Sequence, residues 1–234
     1  MSEIKLLDLN NDWKQVRPTL TFKKIPKHCV VTGYESYQIY ETQIAPTSDN
    51  VKLKFNLIKN TVKDDVAGKS VVDIGCSNMF FGFLSYFYKA AKVTGIDLDL
   101  DYLSQNNQII NYFNMKNVSC ENMNAVDYKE LTDTVFAFAI IHWIYSCSGF
   151  LGSLENVVIY LRYITNECLY VEWIDPADDC ISQMLHHLDF NKDFVVQDYT
   201  KDNFIKYLQN NFSSVSSLGF TKQTKTREIY RCLV

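Results

Sequence analysis

SVVDIGC at residues 70–76 is the part of the sequence that indicates the fold most directly. The segment is short, apolar and rich in β-branched side chains, and it ends at a glycine, which is typical of a strand buried in a parallel sheet. A second segment of this kind, KVTGID at residues 92–97, ends at an acid, and residues 80–91 between them have helical spacing of apolar side chains. A strand, a helix and a second strand in this order predict a βαβ unit.

The same alternation of strand and helix continues toward the C-terminus. Further strands are predicted at residues 117–122, 134–141, 167–173, 212–220 and 227–234, and further helices at residues 101–115, after Ser153 and from Thr200. The polar residues 221–226 separate the last two strands, which are therefore expected to pair antiparallel. The sequence predicts an α/β fold: a Rossmann-like parallel sheet of about seven strands with an antiparallel C-terminal strand and helices on both faces.

The residues that precede this core are less regular. Apolar side chains at positions 51, 55, 58 and 62 have helical spacing, and the tyrosines at positions 34, 37 and 40 recur at three-residue intervals. We therefore expect residues 1–65 to form an N-terminal helical cap on the substrate side of a cleft. Residues 66–234 are expected to form the core domain.

Composition and charge exclude several classes of protein. Of the 234 residues, 47% are hydrophobic and 21% charged, which argues against a disordered or fibrous chain. The formal net charge of −4 makes a nucleic-acid partner unlikely, since such proteins usually present a basic surface. The apolar run at residues 135–144 is too short to span a bilayer, and residues 1–5 show no secretion signal, so we expect a cytoplasmic protein without membrane insertion. The seven cysteines form no CxxC pair and no zinc-like spacing with histidine.

The predicted ligand site lies beyond the carboxyl ends of the first two core strands. Gly75 allows a sharp turn there, and the small side chains of Cys76 and Ser77 let a ligand come close to the backbone. Asp97 ends the second strand, where a carboxylate can accept both hydroxyl groups of a ribose. The segment lacks the GxGxxG phosphate loop, so the expected nucleoside ligand carries no pyrophosphate.

With VDIGC at residues 72–76 and GID at residues 95–97, the sequence resembles the class I S-adenosylmethionine-dependent methyltransferases from about residue 66 to the C-terminus. The resemblance implies S-adenosyl-L-methionine as the cofactor. It implies that the methionine part of the cofactor lies beside Asp73, Gly75, Cys76 and Ser77. It also implies that Asp97 binds the ribose, that Leu98 flanks the adenine, and that Asn124 lies near the adenine amino group. One position departs from the family pattern, because Met79 stands where the loop usually has a third small residue.

A narrower resemblance, to glycan-modifying O-methyltransferases of bacteria and large DNA viruses, rests on shorter motifs. These are the pair Tyr37-Gln38, the FFG that follows the loop at residues 80–82, His142 after the fourth strand, and VEWIDP at residues 171–176. The resemblance implies a glycan or sugar hydroxyl as the methyl acceptor, and a place for Tyr37 and Gln38 at the cofactor site.

A sugar hydroxyl needs a base to take its proton during methyl transfer. His142 is the first candidate, because it follows a strand at the carboxyl edge of the sheet and imidazole titrates near neutrality. His186 and His187 form a second cluster with Asp189 after the fifth strand. If residues 180–190 form a helix, the two histidines cannot share one face, and at most one of them enters the pocket. Asp175, in the loop after the fifth strand, is a further candidate.

Several alternatives stay open on the sequence alone. The carboxylates Glu172, Asp175, Asp178 and Asp179 either hold a divalent ion or form a solvated acidic loop. Beside the sugar, the acceptor is an RNA ribose 2′-hydroxyl or a small metabolite. A non-catalytic protein that binds the cofactor without turnover is the remaining reading, and Met79 is the residue that motivates it.

Overall fold

The structure is a computed structural model that describes residues 19–24, 27–147, 151, 153–181 and 198–234, without the side chain of Cys147. Its strands are β1 Thr19–Lys23, β2 His28–Thr32, β3 Tyr37–Tyr40, β4 Gln43–Pro46, β5 Ser70–Ile74, β6 Lys92–Asp97, β7 Val118–Asn122, β8 Thr132–Ala137, β9 Thr165–Ile174, β10 Ser214–Phe220 and β11 Arg227–Leu233. Its helices are α1 Asp49–Ile58, α2 Val62–Val66, α3 Phe80–Phe87, α4 Leu100–Phe113, α5 Ile141–Cys147, α6 Leu154–Ile164 and α7 Lys201–Asn211.

The main sheet has seven strands in the order β10-β11-β9-β8-β5-β6-β7. β11 runs antiparallel to both of its neighbours, and the pairs among β7, β6, β5, β8 and β9 are parallel. This confirms the predicted α/β sheet with an antiparallel C-terminal strand. It also brings the carboxyl ends of β5, β6, β8 and β9 to one edge, where a ligand site is expected.

Apolar clusters cover both faces of this sheet. On one face, side chains of α3 and α4 pack with β5 and β6; on the other, side chains of α5, α6 and α7 pack with β8 and β9. Two of these helices begin at the predicted caps, because the hydroxyl oxygens of Ser153 and Thr200 accept the amides of Asn156 and Asn203 at 3.1 and 3.2 Å. Within the described residues, no helix is both long and apolar enough to cross a membrane.

The predicted fourth strand is wrong at its end. β8 stops at Ala137, and Ile141 begins the short helix α5. A continuous apolar run does not by itself distinguish a buried strand from a buried helical turn, so the boundary was not readable from the sequence. His142 consequently lies in the first turn of a helix rather than in a loop.

The predicted helical cap at the N-terminus is wrong for residues 19–46 of the described chain. They form a four-stranded antiparallel sheet in the order β1-β2-β3-β4, and helix begins at Asp49. Along β3 the side chains of Tyr37 and Ile39 are buried while those of Gln38 and Tyr40 point to the other face, the two-residue period of a strand. The buried face packs on α3, so this N-terminal sheet lies against the loop that follows β5.

Candidate active site

The loop that follows β5 is held in an unusual backbone conformation. Gly75, Ser77 and Met79 have φ of +67°, +47° and +59°. The amides of Gly75 and Cys76 both donate to the carbonyl oxygen of Ile96, at 2.9 and 3.0 Å. A Cβ added at Gly75 would lie 2.8 Å from the side chain of Ile140, so both the φ angle and the space at this position require glycine.

Asp97, at the end of β6, ties the two strand ends together. One carboxylate oxygen accepts the amide of Ser77 at 2.8 Å and the other accepts the amide of Asp99 at 2.9 Å. Burial raises the pKa of this carboxyl above its usual value, although the hydrogen bonds from the backbone amides lower it. The structure thus brings Asp97 into direct contact with the predicted loop.

Met79 is accommodated below the loop rather than in the cleft. A Cβ at Gly82 would lie 2.8 Å from the Met79 side chain, and a Cβ at Gly95 would lie 2.9 Å from the Met79 sulfur. The thiol of Cys120 lies 3.4 Å from the same sulfur. Two glycines therefore provide the room that the bulky side chain needs, and the feature that motivated a non-catalytic reading has a packing explanation.

Asp73 is buried on β5 directly before the loop. Its Oδ2 accepts the amide of Gly82, in α3, at 3.1 Å. Burial, and secondly the charge of Glu35, raise the pKa of the Asp73 carboxyl well above its usual value. Asp73 therefore supports the loop and the start of α3 from the sheet side.

Tyr37 and Gln38 lie on opposite faces of β3. The hydroxyl of Tyr37 donates to the carbonyl oxygen of Asn78, so this fully buried ring supports the loop from behind. Gln38 points to the opposite face of β3, where its Oε1 lies 3.2 Å from the His28 ring and accepts the hydroxyl of Tyr40 at 2.8 Å. Strand alternation therefore places the two side chains on opposite faces of β3, with Tyr37 on the side of the loop.

Leu98 and Asn124 lie at the outer end of the same sheet edge. The Leu98 side chain is 59% exposed, and its carbonyl oxygen accepts the side-chain amide of Asn122 at 3.1 Å. The carbonyl of Asp97 accepts the amide of Met123 at 3.1 Å, which brings the exposed Asn124 close to β6. Asn124 also caps a 3-10 turn.

His142 is buried in the first turn of α5. Its Nδ1 has no hydrogen-bond partner among the described residues, and its Nε2 is 4.0 Å from the sulfur of Cys180. Burial, and secondly the charge of Arg227, lower the pKa of the imidazole to about 3. The ring is therefore neutral at pH 7.

The acidic residues after β9 are engaged by cationic side chains. Both oxygens of Asp178 accept hydrogen bonds from the guanidinium of Arg227, at 2.8 and 3.0 Å, and Lys222 lies 2.9 Å away. These partners hold the pKa of Asp178 far below its usual value despite burial. Asp175 uses its Oδ1 to accept the amide of Ala177 at 2.9 Å, which closes a turn.

Glu172 and Lys54 form an ion pair that is almost completely buried. The ammonium of Lys54, on α1, lies 2.7 Å from one oxygen of Glu172, on β9, and Thr221 donates to the other at 2.8 Å. No group of three metal-binding side chains occurs in the part of the chain that the structure describes. His186, His187 and Asp189 lie outside the described residues.

Two functional candidates were missed by the sequence reasoning. Glu35, in the turn between β2 and β3, is buried, and its carboxylate accepts the amide of Phe80 at 3.2 Å. Burial is the main cause that raises the pKa of this carboxyl to about 7. Lys54 is the second. Neither has a local motif, but each is a charged residue in a stretch with buried aromatic or aliphatic neighbours.

Residues 65–233 match the model of a family described as a methyltransferase domain. The chain belongs to this family. The class I S-adenosylmethionine-dependent methyltransferase predicted from the strand ends is thereby confirmed, and S-adenosylmethionine is its cofactor.

Three individual proteins are similar to this methyltransferase. A tRNA U34 carboxymethyltransferase of Campylobacter curvus is 30% identical over 93 residues, which are 38% of this chain and 30% of that protein. The chain thus matches less than a third of that relative's length. Magnesium protoporphyrin IX methyltransferase from Synechocystis PCC 6803, solved with bound SAH, has 13% identity and a TM-score of 0.57 over 79% of this chain and 82% of its own. N-methyltransferase NodS from Bradyrhizobium japonicum WM9 has 11% identity and a TM-score of 0.52 over 79% and 93%.

These likenesses fix the fold and leave the acceptor open. The two solved structures share the α/β architecture at low identity. The names of the three proteins refer to a tRNA, to magnesium protoporphyrin IX and, for NodS, to N-methylation. The identity of the methyl acceptor must therefore be argued from the site of this chain.

Proposed function

We propose that this methyltransferase transfers the methyl group of S-adenosylmethionine to a hydroxyl oxygen of a sugar in a glycan. The observation that carries the proposal is His142, a buried and uncharged imidazole whose Nδ1 has no partner among the described residues. A neutral imidazole accepts a hydrogen bond from a hydroxyl group, which is the first requirement for taking its proton.

The residues of the loop and the β6 end fit the cofactor. The loop after β5 turns at Gly75, where φ is +67°, and Asp97 at the same edge would bind the ribose hydroxyls. Leu98 would flank the adenine, with Asn124 near its amino group, as the family resemblance implies. When bound, S-adenosylmethionine supplies a methyl group on a positively charged sulfur. The buried acidic side chains on this edge suit a cationic ligand.

His142 would act on the acceptor rather than on the cofactor. Its surroundings contain the charges of Arg227, Asp178 and Lys54, of which only Asp178 favours the protonated ring. The imidazole therefore stays neutral before reaction and holds a proton only briefly as the methyl transfer is completed. Asp175 and His186 remain alternative bases; Asp175 already accepts one backbone amide, and His186 lies outside the described residues.

An exposed aromatic ring beside Arg227 suits a sugar ring. Tyr34 is 45% exposed, and its hydroxyl lies 3.4 Å from the guanidinium of Arg227, one of the charges that act on His142. Sugar rings present apolar C–H faces that pack on aromatic side chains. Tyr34 would provide such a surface, and the Arg227 guanidinium would hold it in place.

The test is an intact-mass screen of acceptors with the purified chain and S-adenosylmethionine. We expect a one-methyl increment on an oligosaccharide in a panel that also contains RNAs and small metabolites. Methylation of RNA or of a metabolite alone would overturn the sugar assignment. Methylation of no acceptor, with cofactor binding intact, would favour a non-catalytic protein.

With an acceptor identified, the variant His142→Gln tests the role of the imidazole. Turnover should fall about a hundredfold or more, with the affinity for S-adenosylhomocysteine unchanged, because a general base contributes on this scale to the chemical step alone. The matched control is His28→Gln on the N-terminal sheet, where the ring stacks on Tyr40. Equal turnover of His142→Gln and the wild type would transfer the role to another group.

A further inference from the structure

More acidic than basic side chains lie buried at the carboxyl edge of the sheet. Glu35, Asp73 and Glu172 are each no more than 6% exposed, and Asp97 lies beside them. Lys54 is the cation that lowers the pKa of Glu35 and Asp73, and it is already paired with Glu172. Because uncompensated buried charge is unfavourable, this edge is suited to a ligand that brings positive charge.

Glu35, in the turn between β2 and β3, is hydrogen-bonded to residues at the loop that follows β5. Its backbone amide donates to the side-chain oxygen of Asn78 at 3.3 Å, and its Oε2 accepts the amide of Phe80 at 3.2 Å. Among the described residues, Phe80 is the one hydrogen-bond donor to this carboxylate. The other oxygen, Oε1, is therefore available to a ligand, while one hydrogen bond holds the side chain and another holds its backbone.

Asn78 provides a hydrogen-bond donor next to the acceptor Glu35. Its side chain is 1% exposed, and its Nδ2 has no partner among the described residues, although its Oδ1 accepts the Glu35 amide. A buried amide donor without an acceptor is unfavourable, so such a group is expected to find an acceptor in a ligand. One acceptor, Glu35 in the turn before β3, and one donor, Asn78 in the loop after β5, thus lie side by side.

We propose that Glu35 binds the α-ammonium group of S-adenosylmethionine, and that the side-chain amide of Asn78 donates to the α-carboxylate of the same ligand. An amino acid carries these two groups on one carbon, which matches the adjacent acceptor and donor. This inference rests on the cofactor site described above and adds a residue from the N-terminal sheet to it. The buried carboxyl of Asp73 lies close enough for its charge to act on Glu35, so it would add to the negative potential around the ammonium group.

Cofactor affinity should then depend on pH. Burial raises the pKa of Glu35 to about 7; Lys54 opposes the rise, and Glu172, Asp97 and the nearby Asp73 favour it. The carboxyl is protonated below this pKa and binds an ammonium group only when it is ionised. Affinity should therefore increase from pH 6 to pH 8, by roughly tenfold for a single ionisation.

The experiment is calorimetric titration of Glu35→Gln with two probes, S-adenosylhomocysteine and 5′-methylthioadenosine. The second probe has the adenosyl thioether but lacks the amino-acid end. Glutamine still accepts the Phe80 amide, so the variant removes the charge and keeps the loop contact. We expect at least a tenfold loss of affinity for S-adenosylhomocysteine, an unchanged affinity for 5′-methylthioadenosine, and loss of the pH dependence. Glu121→Gln, at an exposed site on β7, is the matched control and should change neither affinity.

Two outcomes would overturn the inference. An equal loss of affinity for both probes would mean that Glu35 only supports the loop. Unchanged affinity for both probes would mean that Glu35 does not contact the ligand. If the wild-type chain binds neither probe, the cofactor site itself is contradicted instead. An Asn78→Ala variant gives an independent readout. It should lower the affinity for S-adenosylhomocysteine and not for 5′-methylthioadenosine, and it should preserve the pH dependence due to Glu35.

Discussion

The two halves of the sheet edge are built in different ways. At the ends of β5 and β6, side chains bind backbone amides a few residues away or on the next strand, as Asp97 does with Ser77 and Asp99. At the ends of β8, β9 and β11, side chains bind one another across long sequence separations, as Lys54 does with Glu172 and Arg227 does with Asp178. We call the ends of β5 and β6 the cofactor half, which is shaped by hydrogen bonds to backbone amides. The ends of β8, β9 and β11 are the acceptor half, which is shaped by ion pairs between side chains.

This difference explains why the fold identifies the cofactor and not the acceptor. A loop shaped by backbone hydrogen bonds accepts the same ligand in proteins of low sequence identity, because it depends on glycine and one acid. A site made of side chains changes its chemistry with each substitution. Variants in the acceptor half should therefore act through unpaired charge, and variants in the cofactor half through the packing and shape of the loop.

The largest expected effect is on stability, in the acceptor half. Lys54→Met removes one member of a buried ion pair and leaves the charge of Glu172 without compensation. The free energy of unfolding should fall by about 3–5 kcal/mol. Chemical denaturation followed by circular dichroism measures this change.

The control for that prediction is Lys52→Met, at an exposed position on the same helix, which should change stability little. Adding Glu172→Gln to Lys54→Met should recover part of the loss, since it removes the unpaired charge. If Lys54→Met and Lys52→Met unfold at the same denaturant concentration, the acceptor half does not depend on this pair.

A smaller effect is expected in the cofactor half, from packing rather than charge. Gly95→Ala places a Cβ 2.9 Å from the Met79 sulfur and 3.0 Å from the Cys76 sulfur. Overpacking of this kind costs about 1–3 kcal/mol. In thermal or chemical unfolding, Gly95→Ala combined with Met79→Ala should lose less stability than the sum of the two single variants. Strict additivity would contradict the view that Gly95 makes room for Met79.

The same division decided what the sequence predicted. β5, β6, Gly75 and Asp97 were readable, because a buried strand, a tight turn and an acid at a strand end are local signals. The N-terminal sheet was not: its tyrosines recur every third residue, which favours a helix, and pairing among four short strands leaves no comparable local signal. The opposite orientations of Tyr37 and Gln38 were not predictable for the same reason, since neighbouring side chains alternate between the two faces only where the chain is a strand.

Glu35 and Lys54 were not predictable for a related reason. Each becomes a site residue through contacts with segments more than 40 residues away, Phe80 for the glutamate and Glu172 for the lysine. No spacing rule links such partners in a single sequence. The sequence did contain both charged residues beside apolar neighbours, but their burial depends on the tertiary structure.

The central claim is that the β5 loop and the acid that ends β6 bind S-adenosylmethionine, and calorimetric titration with S-adenosylhomocysteine tests it most directly. The wild-type chain should bind one molecule. Asp97→Asn should lose about 1.5–3 kcal/mol of binding free energy, because a charged hydrogen-bond partner of the ribose is lost, while Asp101→Asn at the exposed start of α4 should bind as the wild type does. Wild-type chain that shows no binding, or an Asp97→Asn variant with undiminished affinity, would contradict the account.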